Sequence, residues 1–176
     1  MRLRQIAVPL ALALLPLAFA LPALADAGGT AASLVVLGGA LVITVPDSVL
    51  TLAHGLSSVD GSRLSGLLGQ VQVSDARGAS AGAGWIVSVS STAFAAPTGP
   101  SLAAAAVGYR AGPISTIGSA TVTAHDPASL ATLVHAVTAT GISGQNSATW
   151  NPTITVGLPG SAAAGDYTGT ITHSVT

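Results

Sequence analysis

The chain has 176 residues, of which 49% are hydrophobic and 6% are charged, and its formal net charge is −1. It has five arginines, no lysine and no cysteine. It therefore lacks the basic face that nucleic acid binding needs, and it can form neither a disulfide nor a thiolate metal site. The scarcity of basic residues also excludes an electrostatic membrane-surface patch. High apolar content with low charge predicts a folded chain.

The first 25 residues predict a secretory signal peptide. A short basic start, Met1–Gln5, precedes the apolar run Ile6–Leu24, and Ala23-Leu24-Ala25 forms a small-x-small cleavage site. Three prolines in the run and the Ala-x-Ala ending favour cleavage, and a retained transmembrane anchor is the alternative. The predicted mature protein, residues 26–176, has the length of a single domain. We expect it to be secreted, either extracellular or associated with the cell wall.

Alternation of apolar and polar residues predicts the first strands. Leu34–Val45 is β-rich and is interrupted by Gly38-Gly39, which predicts a bulge or a hairpin. Leu67–Asp75 and Trp85–Ser91 alternate as half-buried strands do. We expect these two strands to form an antiparallel hairpin that is connected by a turn region at Ala76–Gly84.

Between residues 95 and 140 the sequence predicts a loop, two short strands and one ambiguous segment. The loop is Ala95–Leu102, and the strands are Ala104–Arg110 and Ser119–Ala124. Asp126–Val137 begins with Asp-Pro, which can cap a short helix, whereas the overlapping Thr132–Thr140 can form a strand. The residues leave both interpretations open.

The C-terminal region predicts two further strands. Ser147–Val156 is interrupted at Asn151-Pro152, and Leu158–Asp166 is a turn segment. Tyr167–Thr176 alternates strictly, and we expect it to be a paired strand because unpaired chain ends fray. Short strands, Gly/Pro turns and little helix pattern together predict an all-β fold. The expected architecture is an antiparallel β-sandwich of immunoglobulin-like or jelly-roll-like type.

Two local patterns resemble the WxL domain of Gram-positive cell-surface proteins. One joins Val71–Gly78 (VQVSDARG) to Gly84–Ser90 (GWIVSVS), and the other is Ala164–Val175 (AGDYTGTITHSV). Val87 stands where the family has Leu, and His173 stands where it has Trp. The resemblance implies a secreted β-sandwich that attaches non-covalently to peptidoglycan, often within multi-protein surface assemblies. A weaker likeness is to secreted pilus or spore-coat subunits.

The motif residues are the candidate contacts to the wall or to a partner. With the aromatic residue beside the Asn151-Pro152 break, the set is Trp85, Val87, Tyr167, His173, Val175 and Trp150. Alternation favours core positions for Trp85 and Tyr167 over direct contact with a ligand, and Tyr167 is placed to make a tyrosine-corner hydrogen bond at the sandwich edge. Trp150 is likewise either exposed at the break or part of the core.

The sequence predicts no catalytic, cofactor or metal site. Gly78–Gly82 matches G-x-S-x-G, but a strand follows where a nucleophile elbow requires a helix. The four histidines form no i,i+4 or H-x-H pair, and the chain has no glutamate. A zinc or copper site needs several convergent ligands, and a glycosidase needs two facing carboxylates. Neither arrangement can be recognised here.

The sequence therefore favours a non-catalytic cell-surface protein that associates non-covalently with peptidoglycan or another surface protein. It predicts no nucleic acid partner and no membrane association after signal cleavage. One alternative is a structural subunit of a pilus, spore coat or filament, in which Leu34–Val45 complements the sheet edge of a neighbour. The other alternative is a secreted enzyme.

Overall fold

The computed structural model describes residues 34–35, 37–47 and 63–176. The predicted signal peptide lies outside these residues. The described elements belong to the compact unit 36–176, and in this part of the chain no helix has the length and apolar character to cross a membrane. The elements are β1 (Leu41–Thr44), β2 (Arg63–Leu67), β3 (Val71–Ser91), a 3-10 turn (Ala104–Ala106), β4 (Val107–Arg110), β5 (Ile114–Ala124), β6 (Val134–Trp150), β7 (Thr153–Gly157) and β8 (Ile171–Val175).

The strands form two antiparallel sheets that pack against each other, which confirms the predicted all-β sandwich. In sheet A, β6 lies between β3 and β5, and the short strands β1 and β8 pair with the two ends of β3 on its other side. Sheet B has the order β2-β7-β4. The predicted break at Asn151-Pro152 is confirmed, and there the chain leaves β6 in sheet A and enters β7 in sheet B. Pro152 has no N–H to donate to a sheet ladder.

The predicted hairpin between Leu67–Asp75 and Trp85–Ser91 is wrong. Leu67 ends β2, whereas Val71–Asp75 and Trp85–Ser91 lie at the two ends of the single strand β3. Both ends pair with β6, so that Val71 lies opposite Trp150 and Val89 opposite Val134. The intervening Ala76–Gly84 is an irregular extended segment with register shifts rather than a turn. Alternation identified the two half-strands correctly, but it carries no information about which partner each one has.

Glycines mark the region where sheet A bends. Gly78 and Gly82 in β3, Gly118 in β5, and Gly141 and Gly144 in β6 all have positive φ. Side-chain-bearing residues rarely adopt this conformation. The register of these strands shifts in the same region, as it does at β-bulges, which bend a sheet. Both halves of sheet A therefore turn the same face toward one core.

The core lies between the buried face of sheet A and the buried face of sheet B. Sheet A contributes the alternating residues of β3 and β6, and sheet B contributes those of β4 and β7. The largest of these buried side chains are Val71, Val73, Trp85, Val87, Val89, Val137, Ile142, Trp150, Val107, Tyr109, Ile154 and Val156. The buried faces of the two β3 half-strands are those that alternation predicts.

The N-terminal segment runs alongside β3. Gly38-Gly39 forms neither the bulge nor the hairpin that was predicted, because the Gly39 N–H donates to the Ala76 carbonyl at 2.6 Å. A Cβ at Gly38 would collide with the Arg77 carbonyl, so these glycines permit a close approach of two backbones. Residues 39–44 are paired within their own sheet. This part of Leu34–Val45 is therefore not a free strand, and the filament alternative itself stays a prediction.

The remaining boundaries agree with the sequence in part. The predicted strand Ser119–Ala124 belongs to the longer β5, and the ambiguous segment becomes a strand from Val134 onward. Only Ile171–Val175 of the predicted last strand lies in β8. The expected pairing of the chain end is confirmed, since Thr176 exchanges backbone hydrogen bonds with Ile86 at 2.9 and 3.0 Å.

Candidate functional site

The two sequence motifs lie side by side in sheet A. β8 pairs with the second half of β3, which places Val175 opposite Val87 and His173 opposite Val89. Val87 and Val89 are fully buried, whereas His173 and Val175 are partly buried. The motif strands together form the inner face of one half of the sheet.

A buried polar network spans the bend of sheet A. Trp85 Nε1 donates to Asn146 Oδ1 at 3.0 Å, and Asn146 Nδ2 donates to Asp75 Oδ2 at 3.1 Å. The Arg77 side chain donates to both carboxylate oxygens of Asp75 at 2.8 and 2.9 Å, and to the Gly84 carbonyl at 3.1 Å. These five residues, the bend network, tie the part of β3 that precedes its irregular segment to the part that follows it.

The charge state of the bend network is fixed by its own hydrogen bonds. Those donated by the Arg77 side chain hold the pKa of Asp75 at about 2, below its ordinary 3.8, although burial acts in the opposite direction. The side-chain hydrogen bonding between Arg77 and Asp75 also raises the pKa of Arg77. The fully buried Asp75 carboxylate is therefore ionised at neutral pH. The Asp and Arg of the first motif hold the fold at the bend.

A second network joins both ends of sheet A to sheet B. Trp150 Nε1, at the end of β6, donates to the Tyr109 hydroxyl at 2.8 Å. His173 Nε2, on β8, lies 3.4 Å from the same hydroxyl, and the two rings meet edge to face at 5.5 Å. Burial raises the pKa of Tyr109 and lowers that of His173 to about 4. His173 is consequently neutral at physiological pH.

The six candidate residues separate into core and cleft positions. Trp85, Val87 and Trp150 have exposed fractions of 1%, 0% and 2%, so in this fold they do not reach a binding surface. Val175 packs against the core beside Val87. Tyr167 and His173 remain, and the structure brings these two together in one cleft.

The cleft has a volume of about 340 Å³ and lies between the end of β1 and the start of β8. Its described lining is Val45, Pro46, Asp47, Leu68, Phe94, Tyr167, Thr168, Gly169, Thr170, Ile171 and His173. The Tyr167 hydroxyl donates to the Ala163 carbonyl at 3.0 Å, which is the expected corner bond. Gly169 lies on the Phe94 ring, where a Cβ would come within 2.8 Å of the ring carbons.

The lining suits an uncharged ligand that has apolar surfaces and hydroxyl groups. Apolar side chains predominate, and Thr168, Thr170 and the neutral His173 supply hydrogen-bonding groups, as in typical ligand sites. Asp47 is the one carboxylate in the described lining. Within the described residues no three His, Asp or Glu side chains converge on one point.

The sequence did not indicate Phe94 or Asp47 as site residues. They belong to segments distant from the terminal motif in the chain, and the fold brings them to it. The sole signal was that Phe94 is the one phenylalanine after the predicted cleavage site.

No protein-family model, curated protein or solved structure matches this chain.

Proposed function

We propose that the chain is a secreted, non-catalytic, WxL-like module of the bacterial cell surface. It associates non-covalently with peptidoglycan or with another surface protein. The observation that carries the proposal is the cleft, because two residues of the terminal motif, Tyr167 and His173, line it beside Thr168 and Thr170. A glycan strand offers apolar ring faces together with hydroxyl groups, which matches this lining.

The charge of the protein supports a contact of this kind. Only 6% of residues are charged, and His173 is neutral at physiological pH. Long-range ionic attraction therefore contributes little, and the proposed contact depends on hydrogen bonds and apolar packing. Since salt screens only charged interactions, binding is expected to change little with ionic strength.

Co-sedimentation of the mature protein, residues 26–176, with isolated Gram-positive peptidoglycan tests the proposal. Thr168→Arg places a long charged side chain at the cleft, and Thr132→Arg makes the same change at another exposed threonine. We expect saturable binding of the wild type and of Thr132→Arg, and binding weakened at least about tenfold in Thr168→Arg.

The controls follow from the burial of the motif tryptophan. Trp85→Ala would report on folding, since Trp85 is a core residue, so the cleft variant is the better probe of contact. Equal binding of Thr168→Arg and the wild type would contradict a role for the cleft. Failure of the folded wild type to bind would remove peptidoglycan and leave a surface protein as the partner.

A further inference from the structure

Two exposed histidines lie next to each other on sheet A, away from the cleft lining. His135 is on β6, and His125 directly follows the neighbouring strand β5, where its backbone N–H donates to the Ala136 carbonyl at 2.9 Å. Their ring centroids are 6.3 Å apart, with an interplanar angle of 66°. Both residues are exposed, so solvent and ions reach both imidazoles.

A hydroxyl group orients one ring of the pair. Nε2 of His125 lies 3.0 Å from Thr138 Oγ1. When Nε2 donates to this hydroxyl, Nδ1 carries the lone pair that can bind a metal. Metal-binding histidines typically use such a second hydrogen bond to fix the tautomer and the orientation of the ring. Among the described residues, the ion pairs are Arg77–Asp75 and Arg110–Asp126, so neither histidine is engaged in one.

We propose that His125 and His135 form a two-histidine site for a late first-row divalent cation. Two imidazoles that share an ion, each with a nitrogen about 2.0–2.1 Å from it, have centroids roughly 6.4 Å apart only when the two nitrogens lie on opposite sides of the ion. The observed 6.3 Å fits this trans arrangement, and side-chain rotation from the edge-to-face geometry must aim both nitrogens at the ion. Water completes the coordination, because the site is open to solvent.

The ligand type selects the class of metal. Imidazole suits copper, nickel and zinc, whereas calcium and magnesium prefer oxygen ligands. Affinity along the first-row series is highest for Cu²⁺. The site therefore takes Cu²⁺ most strongly. It was invisible in the sequence because the two histidines are ten positions apart, and only the pairing of β5 with β6 brings them together.

Calorimetric titration of the purified protein with Cu²⁺ in a weakly coordinating buffer tests this site. The variants are His125→Gln, His135→Gln and the double substitution. The isotherm of the double variant measures binding by all other groups and is subtracted from the others. After this subtraction we expect one Cu²⁺ per chain in the wild type, and at least about tenfold weaker binding in each single variant. The Cu²⁺ electron paramagnetic resonance spectrum is expected to show two coordinating nitrogens in the wild type and one in each single variant.

Circular dichroism of the variants checks that the fold is retained, which the exposure of both side chains leads us to expect. Identical isotherms for the wild type and the double variant would overturn the proposal. Single variants that bind Cu²⁺ as tightly as the wild type would also overturn it. Both outcomes are independent of peptidoglycan binding, so the metal site can be confirmed or refuted separately from the proposed function.

Discussion

Replacing Asp75 with Asn tests whether the bend network stabilises the fold. The Asp75 carboxylate is fully buried and accepts hydrogen bonds from the Arg77 side chain, the Arg77 N–H and Asn146. An amide has one oxygen where the carboxylate has two. Its nitrogen would face a donor of Arg77 or Asn146, and the charge that pairs with Arg77 would be gone.

The size of the effect follows from exposure and charge. Breaking a buried ion pair costs about 3–5 kcal/mol when the remaining charge stays buried. The Arg77 side chain is 36% exposed and can turn toward water, so we expect Asp75→Asn to lower the free energy of unfolding by about 2–3 kcal/mol. The pKa of Asp75 gives a consistent value. Its fall from 3.8 to about 2 corresponds to about 2 kcal/mol of preferential stabilisation of the charged form.

Urea unfolding at pH 7 measures the loss, with Asp126→Asn as the matched control. Asp126 pairs with Arg110 at 3.7 Å, and both side chains are largely exposed. An Asn side chain also retains an acceptor for the Ala111 N–H, which Asp126 Oδ1 binds at 2.9 Å. We expect the control to change the free energy of unfolding by less than about 0.5 kcal/mol. A loss in Asp75→Asn no larger than in Asp126→Asn would refute the reasoning.

The pH dependence provides a second check on the same residue. The pKa of Asp75 is lower in the folded protein than the ordinary 3.8. Its stabilising contribution is therefore complete above pH 3.8 and is lost as pH falls toward 2. The difference in unfolding free energy between the wild type and Asp75→Asn should narrow over this range. A difference that stays constant down to pH 2 would contradict a role for the charge.

Three further predictions concern the same fold. Gly118→Ala should lower the free energy of unfolding in urea by at least about 2 kcal/mol, because φ is +87° and the new Cβ would lie 2.5 Å from the Gln145 carbonyl oxygen. A variant as stable as the wild type would contradict this backbone conformation and this close contact at Gly118. Tyr109→Phe should cost about 1–3 kcal/mol, measured as a lower Tm, because it leaves the Trp150 N–H without its acceptor; an unchanged Tm would contradict this. Since burial lowers the pKa of His173 from 6.5 to about 4, stability should be full above pH 6.5, fall by up to about 3 kcal/mol as pH drops to about 4, and level off for this group below that. His173→Gln should remove that component of the pH profile, and an unaltered profile would show that His173 does not cause it.

The sequence predicted local structure well and long-range pairing poorly. Alternation in Leu67–Asp75 and Trp85–Ser91 identified the two halves of β3 and their buried faces, although the first half begins at Val71 and not at Leu67. It could not show that one partner, β6, continues past both of them, because strand pairing depends on contacts that are distant in the chain. The glycines at 78 and 82 resemble turn residues in sequence, whereas in the structure they permit a bend within a strand.

The candidate site shows the same division between local and distant information. The last strand was recognised by its alternation, and the corner bond of Tyr167 was expected from its position. The hydrogen-bond partners of the two tryptophans were not expected from the sequence, since Asn146 is 61 residues from Trp85 and Tyr109 is 41 residues from Trp150. Alternation favoured a core position for Trp85, and the packed fold places both tryptophans in the core.

We propose that the terminal-motif cleft, and neither Trp85 nor Trp150, is the contact surface. The most direct test is the ratio of peptidoglycan affinities of Thr168→Arg and Thr132→Arg, measured on folded protein. We expect Thr168→Arg to bind at least about tenfold more weakly than its control. Equal affinities of the two variants would contradict it.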